Sequence, residues 1–210
     1  MQNCIKCSSG LPRIFGPMTQ HKIKRPAVFF DRDGTLIQDV GYLSRPSQVR
    51  VYRGVYEALR KLKKKGYCIF VVTNQSGVAR GYFPESTVRR IHQVLQKKLK
   101  AQKAGVDHFY YCPHYPKGTI RGYAKLCSCR KPKSGMVRQA LKSFPVDLKK
   151  SYVVGDKLDD LGLAKSAKLA AGILVRTGNG RVSEKQLKKT QAVVVNGVSQ
   201  AVDYILSRKG

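Results

Sequence analysis

Short, nearly uninterrupted apolar runs recur along this chain, and segments with helical periodicity separate them. Five of the runs predict strands, at residues 27–30, 67–72, 106–111, 151–154 and 171–175, and residues 192–195 form a candidate edge strand. Strands of a parallel sheet are buried on both faces by helices, and they need such continuous apolar runs. The alternation therefore predicts an α/β fold with a mostly parallel central sheet and helices on both faces.

The segments between the runs predict helices and loops. Apolar residues at helical spacing predict helices at residues 54–65, 85–104, 134–143, 160–170 and 198–207. Residues 37–52 and 177–180 are rich in glycine and polar groups, which predicts loops. Residues 1–25 show no periodicity, so we expect a flexible N-terminal extension followed by one domain over residues 26–210.

The composition suits a globular protein with a strong positive charge. The 210 residues are 42% hydrophobic, which allows a sizeable core. The net charge of +29 attracts anions, such as nucleic acid, an acidic membrane or a phosphorylated substrate. The basic residues are scattered over predicted helices, as on solvated faces, and a source with generally basic proteins would give the same pattern. No apolar run approaches the roughly 20 residues that span a bilayer, so we expect a cytoplasmic protein without a membrane partner.

Two carboxylates follow the first predicted strand, one residue apart, at Asp31 and Asp33. Ligands of open α/β sheets bind at the carboxyl ends of the strands, and residues i and i+2 of an extended chain project from the same face. Two bare carboxylates this close repel each other, unless a cation lies between them or one of them holds a proton. The pair therefore indicates either a divalent metal site or a nucleophile beside an acid–base group, whereas a simple turn is the alternative.

Polar groups also follow the second predicted strand, and others lie in the loop after the first predicted strand. A hydroxyl and amides that could donate hydrogen bonds to a phosphoryl oxygen stand at Thr73, Asn74, Gln75 and Ser76. The loop that leaves the first strand should border the same site, with candidate substrate contacts at Asp39, Gly41 and Tyr42. Both sets are candidates for substrate binding.

A third carboxylate, Asp156, follows the strand predicted at 151–154. Together with Asp31 and the backbone carbonyl of Asp33, it would complete an oxygen-rich site for Mg²⁺. Asp160, four residues further on, would support this site. Five of the 12 acidic residues fall in these two strand-end segments, and that concentration in a basic chain favours function over an incidental helix cap.

Three cysteines and a histidine stand close together in the sequence after the third strand. Cys112 and His114 are followed after a short segment by Cys127 and Cys129, which is a Cys₃His set typical of a closed structural zinc site. Thiols stay reduced in the cytoplasm, so we expect zinc rather than a disulfide, in a loop pinned near the active site. A Cys-x-x-Cys pair in the N-terminal extension, Cys4 and Cys7, has no second pair nearby, which favours an incidental pair.

The segment Asp31-Arg32-Asp33-Gly34-Thr35-Leu36 resembles the signature of the haloacid-dehalogenase-like (HAD) phosphohydrolases. The resemblance implies a Rossmann-like HAD fold, with Asp31 as the nucleophile that becomes a phosphoaspartate. It also implies that Asp33 protonates the leaving oxygen and then activates water. The other motifs follow in order: Thr73 and Lys131 would steady the phosphoryl group, and Asp156 would bind Mg²⁺.

Within the HAD phosphatases, the chain is most similar to the D-glycero-D-manno-heptose 1,7-bisphosphate phosphatases. The similarity rests on segments 31–35, 73–81, 111–114, 127–132 and 155–157. It implies a Mg²⁺-dependent monomer that removes the C7 phosphate of a phosphorylated sugar, in the synthesis of the heptose of lipopolysaccharide or surface glycans. It also implies that Arg130 contacts the substrate and that Lys157 lines the pocket.

Three other functions are possible for these motifs. Histidinol-phosphate phosphatases are close relatives with the same zinc loop, and segment 76–81 resembles the heptose enzymes more. A polynucleotide 3′-phosphatase would share the chemistry and suit the positive charge, but its relatives lack this zinc loop. A nucleic-acid-binding zinc module without catalysis would leave the four ordered motifs unexplained, so we expect no specific nucleic-acid partner.

Overall fold

The computed structural model of the protein describes residues 23–187 and 192–208. Most of the predicted N-terminal extension, with the pair Cys4 and Cys7, lies outside these residues. None of the described helices combines the length and the apolar character that crossing a bilayer requires.

The described residues form one sheet of six parallel strands. Their bounds are β1 Ala27–Phe30, β2 Cys68–Asn74, β3 His108–Cys112, β4 Tyr152–Gly155, β5 Ala171–Val175 and β6 Val193–Val195. The spatial order is β3-β2-β1-β4-β5-β6, and all neighbouring strands pair in parallel. The predicted parallel sheet is thus confirmed. Strand β2 runs two residues beyond its predicted end, because Thr73 and Asn74 continue the ladder with Tyr111 and Cys112.

Six α-helices of the described residues connect and cover the strands. They are α1 Val55–Lys64, α2 Glu85–Ala101, α3 Gly135–Ser143, α4 Leu158–Ala167, α5 Gly180–Lys185 and α6 Val198–Ser207. The predicted end of α4 at residue 170 was wrong, because Lys168 turns into the left-handed region with φ 55° and ends the helix. The short helix α5 was not predicted, since its six residues follow directly on a glycine-rich turn.

Hydrophobic cores lie on both faces of the sheet, and strand β1 contributes to each. Val28 and Phe30 pack with apolar residues of α1, α2 and α6. Ala27 and Phe29 pack on the other face with residues of α3 and α4. Burial of the apolar face of each helix, at about 25 cal/mol per Å², fixes the helices against the sheet. The strand ends are thereby held rigidly in place.

The strand order reverses between β1 and β4, which is where open α/β sheets bind ligands. Asp31 follows β1, Asp156 follows β4, and Thr73 lies near the end of β2 next to β1. The fold therefore gathers three segments that are far apart in the sequence at one sheet edge.

Candidate functional site

A small cavity opens at the carboxyl ends of the central strands. Its lining consists of Asp31, Asp33, Thr73, Asn74, Lys131, Lys157, Asp159 and Asp160. Most of the residues expected to carry out the chemistry thus face one space. The candidate metal ligand Asp156 does not line it. Neither do the predicted substrate contacts Asp39, Gly41, Tyr42, Gln75, Ser76 and Arg130, whose contact with a substrate stays a prediction.

The buried ammonium group of Lys131 lies between two carboxylates. Its Nζ donates hydrogen bonds to Asp31 Oδ1 at 2.7 Å, to Asp160 Oδ1 at 2.6 Å and to the carbonyl of Val72 at 2.8 Å. Burial by itself would lower the pKa of Lys131, but the charges of Asp160 and Asp31 outweigh that effect and raise the pKa. The ammonium therefore stays charged and offsets the negative charge of the site.

Asp33 is held in place by two neighbouring side chains. Arg32 donates from Nε to Asp33 Oδ1 at 3.1 Å and from Nη2 to Oδ2 at 2.8 Å. The Nε2 group of Gln75 donates to Asp33 Oδ2 and to Thr73 Oγ1, both at 2.9 Å. The Asp33 side chain keeps 13% exposure, so a group that enters the cavity can reach it.

Asn74 fixes the backbone that carries Lys131. Its Oδ1 accepts a hydrogen bond from Lys131 N at 3.0 Å, and its Nδ2 donates to the Lys131 carbonyl at 3.2 Å. Both polar atoms of the Asn74 amide are thus engaged with one peptide segment. Asn74 and Gln75, both predicted as substrate contacts, form these bonds within the protein, and their contact with a substrate remains a prediction.

Asp156 has the features of a cation ligand. One of its oxygens, Oδ2, accepts hydrogen bonds from Asn179 N at 2.8 Å and Asn179 Nδ2 at 3.3 Å. The other, Oδ1, is buried and has no hydrogen-bond partner among the described residues. Burial, and then the nearby charge of Asp31, raise the pKa of Asp156 to about 6. An unpaired buried oxygen beside a second carboxylate is costly unless a cation binds there.

Ligand atoms of Asp31, Asp156 and Asp160 lie within 4.8 Å of one another, and we call these three residues the carboxylate site. Hard oxygen donors of this kind fit Mg²⁺. Asp33 is predicted as a ligand through its backbone carbonyl, and this stays a prediction, because the contact with Arg32 involves only its side chain. Asp160 is already paired with Lys131, as expected of a supporting residue.

Close backbone approach keeps the Asp156 carboxylate in position. Gly34 and Gly178 have φ values of +80° and +54°, and a side chain on either would collide with Asp156 Oδ2. Thr177 Oγ1 also donates to the carbonyl of Gly34 at 2.6 Å. The turn before α5 and the turn after β1 therefore close around one carboxylate.

The loop after β1 forms part of the rim. Asp39 Oδ2 accepts a hydrogen bond from Asn179 Nδ2 at 3.0 Å and lies 3.5 Å from Lys157 Nζ. Its Oδ1 accepts from the backbone N–H of Gly41 at 2.8 Å. Tyr42 is 45% exposed, and its ring meets that of Tyr82 edge-on with centroids 4.5 Å apart. Through Asp39 the loop reaches Lys157, which lines the cavity. Contact of the loop with a substrate stays a prediction.

Cys112, His114, Cys127 and Cys129, which we call the thiol cluster, also come together. Their ligand atoms all lie within 4.8 Å of one another, and the sulfur atoms are 3.2 to 3.5 Å apart. That separation is too long for a disulfide, whose S–S bond is about 2.05 Å. Hydrogen bonds from Cys112 and Cys129 lower the pKa of the Cys127 thiol. A set of three thiols and one imidazole at this spacing fits a tetrahedral metal ion.

The thiol cluster leads directly into the cavity, because Arg130 and Lys131 follow Cys129. Arg130 Nη1 donates to the carbonyl of His114 at 3.3 Å, and its guanidinium lies 5.2 Å from the centre of the Tyr115 ring. The guanidinium of Arg80 lies 4.2 Å from the same ring. Neither arginine pairs with a carboxylate in the part of the chain that the structure describes.

Comparisons with known proteins identify the family. Residues 128–201 match a family model described as HAD-hydrolase-like. The D-glycero-beta-D-manno-heptose-1,7-bisphosphate 7-phosphatase of Haemophilus ducreyi is 43% identical over 182 residues, which cover 86% of this chain and 98% of that protein. The chain belongs to this phosphatase family. The enzyme of the same name from Escherichia coli K12 is 42% identical over 73% of this chain and 80% of its own length.

A solved structure agrees with the assignment to the heptose-bisphosphate phosphatase family. It is a D,D-heptose 1,7-bisphosphate phosphatase from B. bronchiseptica, crystallised with magnesium and phosphate. Its TM-score is 0.76 at 32% identity, and the match covers 87% of this chain and 98% of that chain. The resemblance inferred from the sequence motifs is thereby confirmed, and the protein is a phosphoric monoester hydrolase of the HAD superfamily.

Some residues that shape this family site were not found from the sequence. Asn179 lies in a segment that predicted only a loop, since Asn next to Gly is typical of turns. Arg32 lies inside the recognised motif, but nothing local indicates that its guanidinium turns back onto Asp33. Its contacts with Gln75 and with helix α2 exist only in the folded chain.

Proposed function

We propose that this protein removes the C7 phosphate of D-glycero-β-D-manno-heptose 1,7-bisphosphate through a phosphoaspartate at Asp31. The observation that carries the proposal is the buried Asp31–Lys131 pair beside Asp33, in a family whose named members act on this compound. A carboxylate next to a fixed ammonium and a positioned second carboxylate is suited to nucleophilic attack on phosphorus.

The reaction has two steps. Asp31 attacks the phosphorus, the bond to the C7 oxygen breaks, and Asp33 donates a proton to that oxygen, which leaves as the sugar hydroxyl. Asp33 then removes a proton from water, which attacks the phosphorus and releases inorganic phosphate and free Asp31. Mg²⁺ held by Asp31, Asp156 and the Asp33 carbonyl would supply positive charge against the phosphoryl oxygens.

Lys131 and Thr73 would stabilise the transferred group. All three N–H donors of Lys131 are in use, and one of them is on Asp31. When Asp31 carries the phosphoryl group, this donor would lie beside a phosphoryl oxygen and could donate to it. The Thr73 hydroxyl lies next to it on the wall of the cavity.

Two arginines favour a substrate with a second phosphate. Arg80 and Arg130 both lie over the ring of Tyr115, and the Nε of Arg80 is buried without a hydrogen-bond partner among the described residues. Two guanidinium groups without a carboxylate partner among the described residues, one of them next to Lys131 in the sequence, favour a second anionic group on the substrate. This supports the bisphosphate over histidinol phosphate, which has a single phosphate.

The thiol cluster supports a second metal ion and a location in the cytoplasm. We take its ion to be Zn²⁺ with a structural role, because all four ligand positions come from protein. Thiolates persist in a reducing compartment, which supports the cytoplasm. The resemblance to the family implies a monomer, and the pathway would be that of lipopolysaccharide heptose.

The test is a phosphate-release panel with Mg²⁺ on purified protein. It compares kcat/KM for both anomers of heptose 1,7-bisphosphate, histidinol phosphate and a 3′-phosphorylated oligonucleotide, with Asp31→Asn as the inactive control. We expect the heptose bisphosphate to be preferred by at least about 100-fold. A preference for either other compound would keep the chemistry but replace the substrate, and activity in Asp31→Asn would overturn the mechanism.

A further inference from the structure

The side chain of Arg32 is fully buried, and its position is fixed from three directions. Its guanidinium donates to both oxygens of Asp33, to Gln75 Oε1 at 2.9 Å and, from Nη1, towards His92 Nε2 at 3.1 Å. A planar guanidinium with several fixed donors cannot rotate without breaking one of these bonds. The orientation of the Asp33 carboxylate thus depends on groups that never enter the cavity.

The contact with His92 specifies the state of that ring. Arginine has no acceptor, so His92 Nε2 must accept the hydrogen bond, and the ring must be neutral with its proton on Nδ1. His92 comes from helix α2, 60 residues away in the sequence. It stacks on Phe109 with centroids 4.8 Å apart and meets Tyr111 edge-on at 5.5 Å. The ring is therefore held as firmly as the guanidinium that it contacts.

We infer that His92 is a positioning residue for the acid–base step, acting through Arg32 on Asp33; this rests on the proposed function. Without the acceptor, Nη1 of a buried guanidinium would be unpaired, and the group would shift to find another partner. Asp33 Oδ1 accepts a hydrogen bond only from Arg32, whereas Oδ2 accepts from both Arg32 and Gln75. Oδ1 therefore keeps a lone pair for the substrate. A shift of Arg32 would turn this oxygen away from the reacting phosphate.

A residue that serves only packing would have a different signature. Asp33 must protonate a sugar alkoxide, which is a poor leaving group, but a p-nitrophenolate leaves without help. The parameter kcat/KM covers the steps up to departure of the leaving group. Loss of positioning should therefore lower kcat/KM for the sugar phosphate selectively. Loss of packing should lower kcat/KM for the sugar phosphate and for p-nitrophenyl phosphate by the same factor.

The matched variants are His92→Gln and His92→Met, which have similar length and differ in the hydrogen-bond acceptor. For His92→Met we expect kcat/KM to fall by about 10- to 100-fold with heptose 1,7-bisphosphate and by less than about threefold with p-nitrophenyl phosphate. His92→Gln should recover most of the loss. His92→Phe, which keeps the ring stack on Phe109, replaces the Met variant if that one does not fold.

Equal losses on the two compounds, no loss, or a Gln variant no better than Met would overturn the inference. The proposed function is tested separately in the same assay. Wild type must release phosphate from both compounds, and Asp31→Asn from neither. Failure of that requirement refutes the phosphatase mechanism itself, whereas the ratio between the two compounds decides the role of His92.

Discussion

The carboxylate site and the thiol cluster are both compact groups of potential metal ligands, but they are built in opposite ways. The carboxylate site joins two strand ends and a helix, and the Oδ1 of Asp156, which has no hydrogen-bond partner in the described part of the chain, leaves it open to a further ligand. The thiol cluster comes from two short segments of one region, and its four ligand atoms complete a closed set. An open set of oxygens can take part in turnover, and a closed set of sulfur and nitrogen can fix a loop.

The supporting contacts differ in the same way. Lys131, Arg32 and Asn179 each hold one member of the catalytic group through hydrogen bonds from a different element. The thiol cluster has its four ligands in contact mainly with one another. Damage to the first region should therefore appear in rates and Mg²⁺ affinity, and damage to the second in stability.

The largest effect is expected for Asp31→Asn. The amide is a very poor nucleophile, so kcat should fall by at least about 10³- to 10⁴-fold. Lys131 keeps its bonds to Asp160 and to the Val72 carbonyl, so the fold should persist. Steady-state phosphate release and circular dichroism measure both properties. Substantial residual turnover would mean that another residue attacks the phosphorus.

The next effect is expected for Cys127→Ser in the thiol cluster. A hydroxyl is a weak zinc ligand, so metal content should fall from about one zinc per chain, with a loss of about 2–4 kcal/mol in the free energy of unfolding. The kcat/KM of the protein that remains folded should change less than tenfold. Zinc analysis and urea unfolding test this, with the remote variant Cys68→Ser as control. Full stability in zinc-free protein would contradict the structural role.

A smaller effect is expected for Asn179→Ala, which removes the side-chain donor to Asp156 and to Asp39. Groups that orient metal ligands typically contribute about 10- to 100-fold to metal affinity. We expect the Mg²⁺ concentration for half-maximal activity to rise by about tenfold, with zinc content unchanged. Asn196→Ala, at another exposed turn, is the control. A loss of zinc in Asn179→Ala would contradict the independence of the carboxylate site and the thiol cluster.

The sequence was most informative where a local pattern decides the structure. The strand ends follow from continuous apolar runs, and the thiol cluster follows from ligand spacing, so Asp31, Asp156 and Cys129 could be predicted. The end of α4 could not, because Lys168 adopts the left-handed conformation that is uncommon for a residue other than glycine. Arg32 and His92 were missed since their partnership joins elements 60 residues apart. Tertiary contacts of this kind leave no local signature.

The two histidines beside these regions differ in role, because His114 belongs to the thiol cluster, whereas His92 contacts Arg32 next to the catalytic residues. The smallest effect is expected for the pH dependence of stability that His92 causes. Burial first, and then Arg32 and His108, lower the pKa of His92 well below its usual value. The unfolded chain therefore binds a proton at His92 that the folded chain does not bind. The free energy of unfolding thus decreases as the pH falls below about 6.5, by about 1 kcal/mol per pH unit. Tyr111, which also faces the ring, does not titrate in this range, because burial raises its pKa.

The measurement compares wild type with His92→Gln by urea unfolding between about pH 7.5 and about pH 5.5. The variant keeps His108, Asp156 and Asp160, so their contributions to the pH dependence cancel in the difference. We expect the free energy of unfolding of wild type to fall relative to that of His92→Gln as the pH falls. Parallel curves would mean that His92 accepts a proton as easily in the folded protein as in the unfolded chain. The neutral ring that Arg32 requires would then not be maintained, and the position of Arg32 would depend on its bonds to Asp33 and Gln75 alone.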